Sequence, residues 1–94
     1  MTIRAINEAV KHICYAQEEL DRLSLAHVHV YEELGLPITN ELRAQLIYVS
    51  EKSNLWTEKF KELHKYRETF IEALYASGFS KSAANALAYG CKNL

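Results

Sequence analysis

The side chains with the greatest capacity for chemistry in this chain are four histidines and two cysteines. His27 and His29 are two positions apart, so on a helix they point to nearly opposite sides and cannot hold the same metal ion. His12 has no histidine or cysteine four residues further on, and the chain contains neither an HExxH nor a CxxC motif. The pattern therefore predicts no metal site and no cofactor.

Patterns typical of catalysis are also missing from the sequence. Neither cysteine stands in a context that would activate it as a nucleophile, and no glycine-rich loop is present to hold a phosphate group. The acidic residues fall on what would be solvated faces of helices. We therefore expect a protein that is not an enzyme and that acts by binding.

The two cysteines, Cys14 and Cys91, bear on the compartment. No apolar run approaches the roughly 18 residues that a membrane span needs, and the N-terminal stretch MTIRAINEAVKH lacks the apolar core of a signal peptide. We expect a cytoplasmic protein that does not bind membranes, with both cysteines as reduced thiols. A disulfide joining the two ends of the chain is the alternative.

The composition is that of a soluble globular protein. Apolar residues make up 49% of the chain and the net charge is −1, a balance that argues against disorder. With 94 residues, we expect a single helical domain over residues 1–94. Only 3 glycines and 1 proline are present, so turns are few and long helices are favoured. The predicted class is all-α.

The first long helix is predicted from Ile3 to Leu34. It should end at Gly35, because Pro37 prevents its continuation. We expect His27, on the predicted core face, to be partly buried and hydrogen-bonded. Side chains spaced three or four residues apart define this face: Ile6, Ala9, Ile13, Ala16, Leu20, Leu23, His27, Val30 and Leu34.

A second long helix is predicted from Thr39 or Asn40 to about Ser77. Its core face alternates in steps of four and three: Leu42, Leu46, Val49, Ser53, Trp56, Phe60, Leu63, Arg67, Phe70 and Leu74. The segment SEKSN, residues 50–54, is a candidate break because serine and asparagine favour helix caps. The core pattern keeps its phase through that segment, so we favour one helix. An antiparallel hairpin of two long helices follows, with a short C-terminal helix after Gly78 and dimerisation into a helical bundle left open.

Three large side chains line up on the face of the second helix opposite its core pattern, namely Tyr48, Leu55 and Tyr66. A row of exposed aromatic and aliphatic residues is typical of a binding surface. The structural alternative is that the third helix or a second copy of the chain covers them. We predict that these residues bind a protein partner or support a homodimer.

The C-terminal stretch ASGFSKSAANAL, residues 76–87, allows a second interpretation. Its Gly-Phe-Ser turn, followed by Lys81, Ser82 and alanines, resembles the turn and recognition-helix start of helix-turn-helix proteins, including phage small terminase subunits and many bacterial repressors. The resemblance implies that Lys81, Ser82 and Asn85 face DNA. The same residues also fit a capped corner, in which Gly78 ends one helix and Ser80 begins the next. The short helix contains no arginine and few groups that read base edges.

Two functions therefore remain in view. We expect a small interaction module of the kind found among phage- or mobile-element-type inhibitors and regulators, which bind and block a host complex such as a nuclease or defence system. The alternative is a helix-turn-helix DNA-binding protein that uses the segment 73–91.

Overall fold

The computed structural model describes residues 1–91, in which it contains five α-helices and no β-strand. The predicted all-α class is confirmed. The predicted hairpin of two long helices is not observed, because each long helix is divided into two. The helices are α1 (Ile3–Ser24), α2 (Ala26–Glu33), α3 (Asn40–Glu51), α4 (Asn54–Ala76) and α5 (Lys81–Tyr89).

The first division lies at Leu25. The N–H of Leu25 bonds to the carbonyl of Arg22, three residues back, at 3.1 Å. The N–H of His27 donates to the side-chain oxygen of Ser50 at 3.4 Å. After this break, the residue that faces the core is Val28 and not His27. Val28 is fully buried and His27 is exposed. The expected burial of His27 is wrong, although its side chain is hydrogen-bonded: Nδ1 lies 2.6 Å from Ser50 Oγ.

The second division lies at Lys52 and Ser53, inside the segment SEKSN. Ser53 caps α4, because its hydroxyl oxygen accepts a hydrogen bond from the N–H of Trp56 at 3.2 Å. A serine that satisfies a free amide in this way stabilises a helix start. The prediction of one continuous helix through residues 50–54 is therefore wrong, and the candidate break is real.

Two glycine corners form where the sequence predicts them. Gly35 has φ +68° and Gly78 has φ +92°, a left-handed conformation that glycine adopts without steric cost. The N–H of Leu36 donates a hydrogen bond to the carbonyl of Tyr31, and the N–H of Phe79 donates one to the carbonyl of Leu74, each at 3.0 Å. This is the Schellman arrangement that closes many helices.

The helices that follow these corners begin at the predicted caps. The hydroxyl of Thr39 accepts a hydrogen bond from the N–H of Leu42 at 3.1 Å and so starts α3. The hydroxyl of Ser80 accepts one from the N–H of Ala83 at 3.2 Å and starts α5. Local sequence therefore determines both corners of the chain.

The chain divides into two compact units. Unit 1 comprises residues 1–17 together with the chain from residue 61 onward, and unit 2 comprises Glu18–Phe60. The boundary crosses α1 and α4, so each of these helices contributes to both units. The expectation of a single helical domain over residues 1–94 stays a prediction.

The core of unit 1 draws on three helices. Its buried apolar residues are Ile6, Ala9 and Ile13 from α1, Leu63, Phe70, Ile71 and Leu74 from α4, and Ala84 and Ala88 from α5. Cys14 and Cys91 form a disulfide with their Cα atoms 5.3 Å apart. The expectation of two reduced thiols is thus wrong, and the alternative of a disulfide between the ends of the chain is correct.

The core of unit 2 is smaller and partly polar. Leu20, Val28, Leu46 and Ser50 are buried, and α2 packs against α3. Four large apolar residues predicted for the core are exposed instead, namely Val30, Leu34, Val49 and Phe60. The division at Leu25 accounts for the exposure of Val30 and Leu34, because the helical phase on which their predicted burial depended changes there.

None of the helices within residues 1–91 has both the length and the apolar character needed to cross a membrane.

Candidate interaction surfaces

Tyr48 lies on α3, on the side opposite the buried Leu46. The two residues are separated by about 200° around the helix axis, and 62% of the Tyr48 surface is exposed. The ammonium of Lys52, one turn further on, sits 4.9 Å from the centre of the Tyr48 ring. At an exposed site, the attraction between a cation and the face of an aromatic ring is weak. Tyr48 therefore presents an aromatic ring to solvent with one face partly covered by a flexible cation.

Leu55 and Tyr66, the other two predicted contact residues, lie on α4. Leu55 belongs to unit 2 and is 55% exposed. Tyr66 belongs to unit 1 and is 37% exposed, and its ring centre lies 4.4 Å from that of His12 on α1. The division at Lys52 places Tyr48 on a different helix from the other two residues. The predicted single row on one helix is consequently not formed.

A hydrogen-bonded cluster of polar side chains fixes the positions of α2, α3 and the start of α4 within unit 2. Ser24 donates to Glu51 Oε1 at 3.1 Å and accepts from the indole N–H of Trp56 at 2.9 Å. Ser50 is only 2% exposed, and its hydroxyl oxygen accepts a hydrogen bond from the backbone N–H of His27 and is hydrogen-bonded to the His27 ring. The sequence analysis placed His27 and Trp56 on the predicted core faces, but apolar spacing could not pair them with Ser50 and Ser24.

The outer face of α2 is an apolar surface that sequence reasoning missed. Val28 is fully buried, and Val30 lies about 200° from it around the helix. Val30 is 52% exposed and Leu34, one turn further on, is 67% exposed. Ala26, one turn before Val30, is exposed as well. The residue types were visible in the sequence, but the assumption of an unbroken helix assigned Val30 and Leu34 to the core.

The two units differ in charge. Residues 18–60 contain eight acidic and four basic side chains, a net charge of −4. The rest of the chain contains seven basic and four acidic side chains, a net charge of +3. The net electrostatic field of unit 2 therefore favours cations, whereas that of unit 1 favours anions.

One acidic residue of unit 2 has a perturbed pKa. The Lys59 ammonium donates a 2.8 Å hydrogen bond to Glu19 Oε1, and this contact, with its charge attraction, lowers the pKa of the Glu19 carboxyl. Arg22 lowers that pKa further by charge attraction alone. Glu19 lies at the surface, where such a pair is screened by solvent.

Arg67 connects the three helices of unit 1. The side chain is buried, its Nε donates to the carbonyl of Ala88 at 2.9 Å, and Nη2 donates to Gln17 Oε1 at 3.0 Å. The guanidinium also lies 4.8 Å from the centre of the Tyr89 ring. With the Cys14–Cys91 disulfide close by in sequence, these contacts fix α5 on its neighbours.

The three candidate DNA-binding residues lie on α5. Lys81 and Ser82 are exposed and Asn85 is half-buried. Ala84 and Ala88 are buried, so small side chains form the face by which α5 docks. The corner before α5 has the geometry of a capped turn, and that geometry is common to helix-turn-helix units and to ordinary helix corners.

No group of three or more potential metal ligands occurs among residues 1–91. Comparison of the chain with protein-family models, with curated proteins and with solved structures finds no match.

Proposed function

We propose that the protein is a small, non-enzymatic interaction module that binds a protein partner through exposed side chains. The exposure of Tyr48, with Leu55 also in unit 2, is the observation that carries this proposal. Large exposed aromatic residues supply much of the energy at protein interfaces when they become desolvated. Tyr66 on α4 is a further contact point.

We propose further that the module acts by occupying a surface of its partner. Phage- or mobile-element-type inhibitors of a host nuclease or defence complex act in this way. The small size of the chain and its exposed apolar side chains support this class. Self-association into a helical bundle is the alternative use of the same residues.

The test compares a double substitution of exposed tyrosines with a single control substitution of another exposed tyrosine. Tyr48→Ala combined with Tyr66→Ala should weaken partner binding or self-association by at least about 2 kcal/mol, roughly thirtyfold. Tyr15→Ala is the control, because Tyr15 is also highly exposed but lies on α1. Binding is measured by quantitative pull-down from host lysate and by sedimentation.

Circular dichroism must show an unchanged helical melt for all of these variants. Full-strength binding by the Tyr48/Tyr66 variant would place the active surface elsewhere. Of the alternatives, the acidic residues Glu18, Asp21 and Glu32 are tested next.

The second candidate function is DNA binding through α5. The positive charge of unit 1 and the exposure of Lys81 and Ser82 favour it. Binding to duplex DNA would weaken steeply as salt rises, because bound phosphates release counterions. An anisotropy titration at low salt, with Lys81→Ala and Asn85→Ala against the control Lys52→Ala, tests it. Sub-micromolar, salt-sensitive binding that only the α5 substitutions reduce would replace the primary proposal.

A further inference from the structure

The outer face of α2 has two properties that together define a partner. The first is its apolar surface: Ala26 and Val30 lie opposite the buried Val28, and Leu34, the C-cap of α2, follows Val30 after four residues. The three side chains extend over about 12 Å of helix, slightly more than two turns. Leu36, just beyond the Gly35 corner, is exposed as well. An apolar strip of this length matches one face of another short helix.

The second property is an excess of negative charge over positive charge. The stretch from Leu23 to Leu42 contains three glutamates and neither lysine nor arginine. Glu32 is paired with Arg43 of α3 at 3.9 Å. Glu33 is exposed, flanks the apolar strip at about 60° from Val30, and has no ion-pair partner among residues 1–91.

We infer that this face of α2 docks a cationic amphipathic helix of a partner protein. The apolar side of that helix would cover Val30 and Leu34, and its lysines or arginines would meet Glu33. The charge of the face argues against the other occupants. A second copy on a two-fold axis would bring its own Glu33 to the same interface, and like charges repel there. An anionic membrane surface would be repelled by the net charge of −4 on unit 2.

This inference rests on the proposed function only in that the protein acts by binding another protein. It assigns a different surface from Tyr48, Leu55 and Tyr66 and names the chemistry of the partner. Failure at one surface therefore leaves the other open to its own test.

The experiment uses a fluorescent synthetic peptide of about five helical turns, with leucines on one face and lysines on the other. A peptide of the same composition in scrambled order keeps the charge and removes the apolar face. We expect the wild-type protein to bind the amphipathic peptide at least about tenfold more tightly than the scrambled one, by fluorescence anisotropy.

The chain offers a matched pair of double substitutions. Val30→Ala with Leu34→Ala should weaken peptide binding at least about tenfold. Val49→Ala with Ile3→Ala removes the same number of carbon atoms from residues that are 51% and 78% exposed on α3 and α1, and should weaken it less than about twofold. Glu33→Gln should weaken binding and reduce its salt dependence, whereas Glu8→Gln on α1 should do neither.

Three outcomes would overturn the inference. The scrambled peptide could bind as tightly as the amphipathic one, or the two double substitutions could weaken binding equally. Sedimentation could also detect a dimer that Val30→Ala with Leu34→Ala dissociates, which would assign the face to a second copy. Helical melts of all variants should match the wild type, because the substituted side chains are exposed.

Discussion

Among single side chains, Arg67 has the largest structural role that can be traced through its contacts. The guanidinium holds a backbone oxygen of α5 and a side-chain oxygen of α1 at the same time. Its planar set of donors makes both bonds possible, and the single ammonium of lysine cannot reproduce that geometry. Without this hydrogen bond the backbone carbonyl of α5 would be buried without a partner, which would lower the stability further.

We therefore predict that Arg67→Lys lowers the free energy of unfolding by about 2 kcal/mol. Urea unfolding followed by circular dichroism measures this change. Lys65→Ala, an exposed neighbour on α4, is the control and should change stability by less than about 0.5 kcal/mol. Equal stability of Arg67→Lys and wild type would mean that the two hydrogen bonds contribute nothing to the docking of α5.

Glu19 gives a prediction for pH. Its pKa is lowered mainly by Lys59, so the folded state favours the carboxylate. The resulting stabilisation is present above the ordinary pKa of a glutamate and is lost as pH falls through the lowered value. We expect an NMR titration to place the Glu19 midpoint below that of an ordinary glutamate.

Lys59→Met should raise that midpoint toward the ordinary value, and Arg22→Met should raise it less, because Arg22 makes the smaller contribution. Salt at 1 M, where the screening length is about 3 Å, should also raise it. If neither Lys59→Met nor 1 M salt changes the titration midpoint of Glu19, the ion pair does not form in solution.

The helices and their caps show which parts of the fold the sequence determines locally. Gly78 is one such point. Its φ of +92° is costly for any residue with a Cβ, although a Cβ there would meet no atom within 4 Å. The cost of Gly78→Ala is therefore a backbone cost alone, about 1–2 kcal/mol of unfolding free energy.

Gly78→Asn is the matched comparison and should cost less, because asparagine tolerates the left-handed conformation better than alanine. Urea unfolding of both variants measures the difference. If alanine and asparagine are tolerated equally, the left-handed corner is not maintained in solution.

The caps could be predicted because their signals are local. Gly35, Thr39, Gly78 and Ser80 each act within a few residues, so the sequence alone places them. The division at Leu25 is different. There, the N–H of His27 bonds to Ser50, a residue 23 positions away on another helix. A pattern of apolar spacing carries no information about such a bond.

The division at Ser53 had a visible local signal, but the continuous core pattern outweighed it in the sequence analysis. These two divisions also explain why the candidate surface was only partly predicted. Tyr48 and Leu55 are exposed as expected, and Tyr48 lies about 200° around α3 from the buried Leu46. Val30 and Leu34 were assigned to the core, because the predicted phase continued past Leu25.

Across the whole chain, the most consequential departure from the sequence analysis is the disulfide. Cys14 and Cys91 are 77 residues apart, and their bond closes a loop that contains most of the chain. Cross-linking of a loop this long removes entropy from the unfolded state, which is worth about 4–5 kcal/mol in the chain-entropy model. A small domain has only about 5–15 kcal/mol of total stability. The disulfide therefore contributes a large share.

We predict that Cys14→Ser with Cys91→Ser lowers the melting temperature by roughly 20 °C, since each kcal/mol corresponds to about 4–8 °C in a domain of this size. Differential scanning calorimetry measures the shift. A dithiol reductant should lower the wild-type melting temperature by a similar amount and leave the double variant unchanged, because that variant has no disulfide to reduce. Thiol titration of the denatured wild-type protein without reductant should find no free thiol. The disulfide would be contradicted if two free thiols were found and the reductant did not change the melting temperature. The docking of α5 would then depend on Arg67 and the buried alanines of α5 alone.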